Sequence, residues 1–144
     1  MVDARGMGYR YIGSGSSRRV FDLENGYVMK VARNRAGIAQ NKTEYKIALI
    51  DSSNLFAEVV KVSEDFKVLI MKKADKINDF SIILDYFNVR NIKELSKVKE
   101  LQKIQYKYNL LWGDLRRISS WGIIDGIPKI IDYGFTREVR KKYY

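Results

Sequence analysis

The 144-residue sequence contains no cysteine and no histidine. Without thiols there is no disulfide framework. Without either residue, zinc sites lose their usual ligands and Ser-His-Asp-type nucleophilic triads lose their base. Long apolar runs are missing too: no stretch approaches the roughly 18 residues needed to cross a bilayer, and the opening MVDARGMGYRY lacks the apolar core of a secretory leader. The expectation is a cytoplasmic protein with no membrane partner. No internal repeat or low-complexity segment is present, and the length suits one domain with a real core. What the chain does have is charge: 27 Lys and Arg against 17 Asp and Glu leave a net +10. Such a field favours polyanionic partners, whether nucleic acid, nucleotide phosphates or an acidic protein.

Residues 9–33 read as three strands. YRYIGSG runs into a Gly/Ser turn, SRRVFDL leaves it, and ENG turns tightly before YVMKVAR. They predict a small antiparallel meander. Residues 37–50 place Ile38, Ala39, Ile47, Ala48 and Ile50 at helical spacing around Glu44. AEVVKV and KVLIM flank SEDF and predict a second hairpin. After the polar linker KKADK, DFSIILDYF reads as a short helix with Asp79 as N-cap. A longer helix is predicted from Asn91, with Glu94 completing the cap and Ile92, Leu95, Val98, Leu101 and Ile104 on one apolar stripe. LLWGDLRRISSWG reads as a loop, WGIIDGIPKIIDY as a hairpin turning at Asp125-Gly126, and REVRKKYY as a basic tail. The one plausible seam is at residues 72–76, between a sheet-rich half and a helix-rich half.

Taken alone, GSGSSRRV is a turn. Between two strands, Gly13 and Gly15 would let the backbone approach an anion with its N–H donors, and Ser14, Ser16 and Ser17 would add hydroxyls. Lys30 lies in the apolar strand YVMKVA, where burial is costly unless the ammonium meets negative charge. Glu44 or a bound phosphate would supply that charge; at a sheet edge, Lys30 would instead reach solvent. Asp132 ends the strand-like run PKIIDYGF, and Asp114 stands eighteen residues earlier in WGDLRR. The predicted hairpin between them brings both carboxylates to one edge.

These parts, in this order, resemble the protein-kinase-like superfamily over residues 9–136. In that family a Gly-rich loop covers the ATP phosphates and a strand lysine pairs with a helix glutamate. A catalytic-loop aspartate accepts the substrate hydroxyl proton, and an Asp-Phe-Gly aspartate holds magnesium. The resemblance implies an α+β fold, a minimal kinase-like domain over residues 1–144. Its antiparallel N-lobe with one helix would cover about 1–71, its hinge about 72–76 and its reduced helical C-lobe about 77–144. It implies ATP and Mg2+ as cofactors. Gly13, Ser14, Gly15, Ser16 and Val20 would form the loop over the nucleotide, Lys30 would contact its α/β-phosphates and Glu44 would orient Lys30. Met71 and Lys73 would border the adenine at the joint, Asp114 would be the base, Arg116 would face the transferred phosphate, and Asp132 would hold the metal. WGD in place of His-Arg-Asp is closer to small-molecule and atypical kinases, and the compact design resembles small kinase-like proteins of bacteriophages.

Three features depart from the family pattern. Arg18 replaces the third loop glycine and would clamp phosphate or crowd the turn. Ser119 stands where an asparagine metal ligand is expected, with Ser120 an equal neighbour. Ten residues follow Gly134, leaving little room for a peptide-docking platform. The expected activity is ATP- and magnesium-dependent transfer to a Ser/Thr hydroxyl of a protein, this chain included; a small-molecule acceptor stays open. One alternative is a pseudokinase-type module docking an acidic macromolecular partner. Another is a basic nucleic-acid binder using Arg137, Arg140, Lys141 and Lys142 beside two tyrosines, residues that a solubilising tail explains as well. Trp112 and Trp121 read as core, and Lys93, Lys97, Lys99 and Lys103 as a solvated helix face.

Overall fold

A computed structural model describes residues 10–144; the first nine, including Tyr9 and the segment read as leader-free, lie outside the described residues. The chain opens with strands β1 (Arg10–Ser14), β2 (Arg18–Asp22) and β3 (Tyr27–Ala32), followed by helix α1 (Arg35–Ile50). Strands β4 (Val59–Val62) and β5 (Val68–Lys72) complete an antiparallel sheet of order β1-β2-β3-β5-β4. The meander and second hairpin match the period-two patterning of these segments. Asn34 starts α1, its side chain accepting the Gly37 N–H at 3.0 Å, so the helix begins two residues before the predicted start.

The second half is built around a smaller sheet of order β6-β7-β8. Strands β7 (Trp121–Ile124) and β8 (Ile127–Ile130) form the predicted hairpin. Asp125 and Gly126 both take positive φ, 53° and 78°, the paired left-handed geometry of a two-residue hairpin turn. The predicted polar linker is corrected in part: Asp75–Lys76 form β6, pairing with Ile123 and Gly122. A two-residue strand has no periodicity to read; only its partner defines it.

Four expectations about the second half are also corrected. Helix α2 spans Ser81–Tyr86, and Asp79 stands outside it, accepting the Ser81 N–H at 3.0 Å. The long helix from Asn91 is broken into α3 (Ile92–Leu95) and α4 (Lys99–Tyr108). Asn91 does cap α3, accepting from Glu94 N at 2.8 Å. The break follows from Ser96, whose hydroxyl donates to the Lys93 carbonyl at 2.6 Å, while Lys97 and Val98 tighten to i−3 bonds; side-chain competition of this kind ends helices. The expected loop carries α5 (Trp112–Leu115) and a 3-10 turn (Ile118–Ser120). The expected basic tail is helix α6 (Arg137–Tyr143), capped by Thr136 and packed on α1.

One apolar core joins the two halves, running from Leu69 and Met71 of β5 through Ile83, Leu95 and Leu101 to Trp121 and Ile130. Residues 55–57 link it to β8: Ile130 N donates to Leu55 O at 2.7 Å and Ala57 N to Ile130 O at 2.9 Å. Tyr133 reaches the same segment, donating its hydroxyl to Ala57 O at 2.8 Å. Trp121 is core, 2% exposed, with its indole N–H on Leu115 O at 2.8 Å. No helix among the described residues is long and apolar enough to cross a membrane.

Candidate functional site

Strands β2 and β3 point Arg18 and Lys30 to the side of the sheet covered by α1, and α1 returns Asn41 and Glu44. Glu44 is fully buried and accepts six hydrogen bonds. Arg18 grips it through both terminal nitrogens at 2.8 and 2.9 Å, and Lys30 Nζ donates to its two oxygens at 3.0 and 3.2 Å. The backbone N–H groups of Tyr133 and Gly134 each complete the set at 3.0 Å. Arg18 also donates to Asn41 Oδ1 at 3.1 Å and to Asp132 Oδ1 at 2.9 Å. Two cations and two carboxylates thus form a neutral cluster, the condition under which buried charge is tolerated.

The titration behaviour follows from this arrangement. Burial pushes the Glu44 carboxyl up, but Arg18 and Lys30 together outweigh it and hold the group at about 2. Burial pulls Lys30 below the ordinary lysine value, with Glu44 opposing. For Arg18, burial is overcome by Glu44 and Asp132, so its pKa rises.

The cluster forms the inner wall of a cleft of about 510 Å³. Ile12, Val20, Val28, Met71, Ala74 and Ile131 give it an apolar side. Arg18, Lys30, Lys72, Lys73 and Arg117 line it against only two carboxylates, Asp114 and Asp132. The excess of positive charge suits a polyphosphate. Lys73 is already committed to Asp22 at 2.7 Å. Asp132 remains accessible, its side chain 56% exposed. Asp114 is different: its Oδ2 is buried with no hydrogen-bond partner among the described residues, and Arg117 approaches Oδ1 only to 3.8 Å. Burial pushes the Asp114 carboxyl up; Arg117 works against this and Asp132 adds to it.

The cleft gathers most of the residues singled out in the sequence. Gly15, Ser16, Val20, Lys30, Met71, Lys73, Asp114, Ser119 and Asp132 all line it. Ser14 ends β1. Gly13 lies in β1 and does not line the cleft, and Glu44 sits behind the wall rather than in it. Arg116 is exposed and does not line the cleft, whereas its exposed neighbour Arg117 does. The reason is local, since Arg116 ends the single turn of α5 and Arg117 begins the next segment. Ser120 is buried. Arg18 lines the cleft and is bound to Glu44 and Asp132. Sequence reasoning missed Arg117, and it missed Tyr144 altogether, although Tyr144 lines the cleft.

The donors present fit magnesium. Among the described residues no cluster of three or more acidic side chains forms, but magnesium is held by one or two carboxylates together with substrate phosphates. Asp132 has one oxygen on Arg18 and offers the other, and Ser119 lines the same cleft.

No protein-family model matches the sequence, and no curated protein matches it either. Among solved structures, the chain is similar to APH(2")-IIa in its ternary complex with streptomycin and ATP. The two share 18% identity with a TM-score of 0.51, over 88% of this chain and 65% of that one. The chain therefore spans 65% of that neighbour's length. At this identity the likeness concerns the fold: an α+β, minimal protein-kinase-like fold, with an antiparallel sheet and one helix followed by a reduced helical half.

Proposed function

We propose that the protein is an ATP- and magnesium-dependent phosphotransferase acting on a protein hydroxyl, with Ser/Thr as the acceptor class expected from sequence. The observation that carries this reading is the convergence of Lys30, Asp114 and Asp132 on one cationic cleft of about 510 Å³. Residues 71–74 act as the hinge between a lobe of about residues 1–71 and a reduced lobe of about 77–144. The apolar side of the cleft receives the adenine. Lys30, held by Glu44, binds the α/β-phosphates by exchanging its bond to Ile131 O, 2.6 Å in this structure, for a phosphate oxygen. Asp132 and Ser119 would hold magnesium, which would supply charge neutralisation for the transferring phosphate. Asp114 accepts the acceptor's proton at its unpaired Oδ2, and Arg117 faces the transferred group. The ATP bound by the structural neighbour supports the nucleotide part of this reading.

Asp132→Asn is expected to abolish transfer from labelled ATP while the chain still unfolds cooperatively at a somewhat lower temperature, because Arg18 loses one of its two carboxylate partners; unchanged transfer would refute the role given to Asp132. A second reading, a nucleotide-binding module without transfer, is favoured by one observation: Arg18 already holds Asp132 Oδ1 at 2.9 Å. Stabilisation by ATP and magnesium with no transfer to any hydroxyl would support that reading over the first.

A further inference from the structure

Helix α6 lies against α1 and delivers Tyr144 beneath the Gly-rich turn. The ring packs edge-on against Phe135, with centroids 5.0 Å apart. Its hydroxyl contacts three polar side chains from two different elements. Gln40 of α1 donates to it at 3.2 Å, Ser16 Oγ lies 3.4 Å away, and Ser17 Oγ is also a hydrogen-bond partner. Phe135 stands three residues past Asp132. The phenol is therefore held between the loop assigned to the phosphates and the segment carrying the metal carboxylate, and it lines the same cleft as Asp114.

A side chain that merely anchored α6 would need only the Phe135 contact. The polar end is instead directed at Ser16 and Ser17, where a triphosphate would be covered. Gln40 donates to the phenol oxygen, and in the contacts with Ser16 and Ser17 either oxygen can be the donor. Among the described residues, no serine or threonine outside the Gly-rich turn and residue 119 lines this cleft.

Resting on the phosphotransferase reading, we infer that Tyr144 is an intramolecular phosphate acceptor, so that the site takes a phenolic hydroxyl from its own chain. The phenol oxygen forms a bond to the γ-phosphorus of ATP as the bond from that phosphorus to the β–γ bridging oxygen breaks. ADP leaves with that electron pair, and the phenolic proton passes to Asp114. The product carries close to two negative charges in a cleft lined by five Lys and Arg side chains against two carboxylates.

The test incubates the full chain with ATP and magnesium, follows phosphate by peptide mass spectrometry and repeats the time course over a wide dilution series. Phosphate on Tyr144 with a rate constant independent of protein concentration is the expected result, and Tyr144→Phe, which keeps the ring on Phe135, is expected to lower the label to background. A rate rising with concentration overturns the intramolecular step. Label that persists undiminished in Tyr144→Phe, or ATP turnover with Tyr144 unmodified, overturns the acceptor assignment while leaving the phosphotransferase reading intact. If ATP and magnesium neither shift the melting temperature nor yield phosphate on any residue or in solution, both readings fall together.

Discussion

Two carboxylates, one on each side of the cleft, have opposite circumstances. Glu44, on α1, is fully buried and accepts six hydrogen bonds from three parts of the chain. Asp114, on the single turn of α5, is partly exposed, yet its buried Oδ2 has no partner among the described residues. Burial penalises the ionised form of both, and partners decide the outcome: Glu44 stays ionised to about pH 2 while Asp114 becomes easier to protonate. A satisfied carboxylate is part of the scaffold. An unsatisfied one holds free energy available to a ligand, which is why strongly perturbed groups concentrate where chemistry happens.

The largest break in this comparison comes from Glu44→Gln. Removing one partner of a buried charge cluster costs about 3–5 kcal/mol, so the urea midpoint should fall steeply. The pH dependence has a definite sign. The folded pKa of Glu44, about 2, lies below the unfolded value of 4.5, so its stabilisation is present above pH 4.5 and is lost as pH falls from there through 2. A denaturation series across that window should lose about 3 kcal/mol in the native chain and much less in Glu44→Gln. A flat native profile would mean the cluster does not hold.

Gly134→Ala tests the same nest from its backbone side. A Cβ at residue 134 would lie 2.5 Å from Gln40 O and 3.0 Å from Gln40 C, so α1 and residues 133–134 must separate and weaken the two N–H bonds to Glu44. A loss of about 1–3 kcal/mol is expected, the usual cost of forced overpacking; a midpoint like that of the native chain would contradict this packing.

Asp114→Asn should act in the opposite direction and by the smallest amount. The folded pKa of Asp114 is raised, so the contribution of its protonated form is complete below the unfolded value of 3.8 and is lost as pH rises through the folded one. At neutral pH its ionised burial is a net cost. The amide should therefore raise stability slightly, by less than about 1 kcal/mol, seen as a small rise in melting temperature, while removing phosphate transfer. A lower melting temperature would place Asp114 with Glu44 as scaffold.

Much of the frame was legible because its signals are local. Alternating apolar residues give β2, β3 and β5, and Asp125-Gly126 marks the hairpin that brings residues 114 and 132 to one edge. Lys30 in an apolar strand demanded an anion, and Glu44 was near enough in sequence to be considered. Long-range or sub-turn features were illegible. Arg18 meets partners 26 and 114 residues away, and Tyr144 meets Ser17 across 127; no window of sequence contains either contact. The choice of Arg117 over Arg116 rests on where a four-residue helix stops. The break before α4 rests on one serine hydroxyl, which the apolar stripe conceals.

The Glu44 nest also has a consequence for the order of assembly. It joins residues 18, 30 and 44 to backbone donors 89 and 90 positions further on. During synthesis from the N-terminus, the first sheet and α1 emerge with two cations around one anion, and the compensation from residues 132–134 arrives only after nearly everything else has been made. Contacts of such sequence separation are costly to close and slow to form. The last event of folding should accordingly be the locking of α1 against residues 131–134, seen as a slow step that follows the appearance of the sheet.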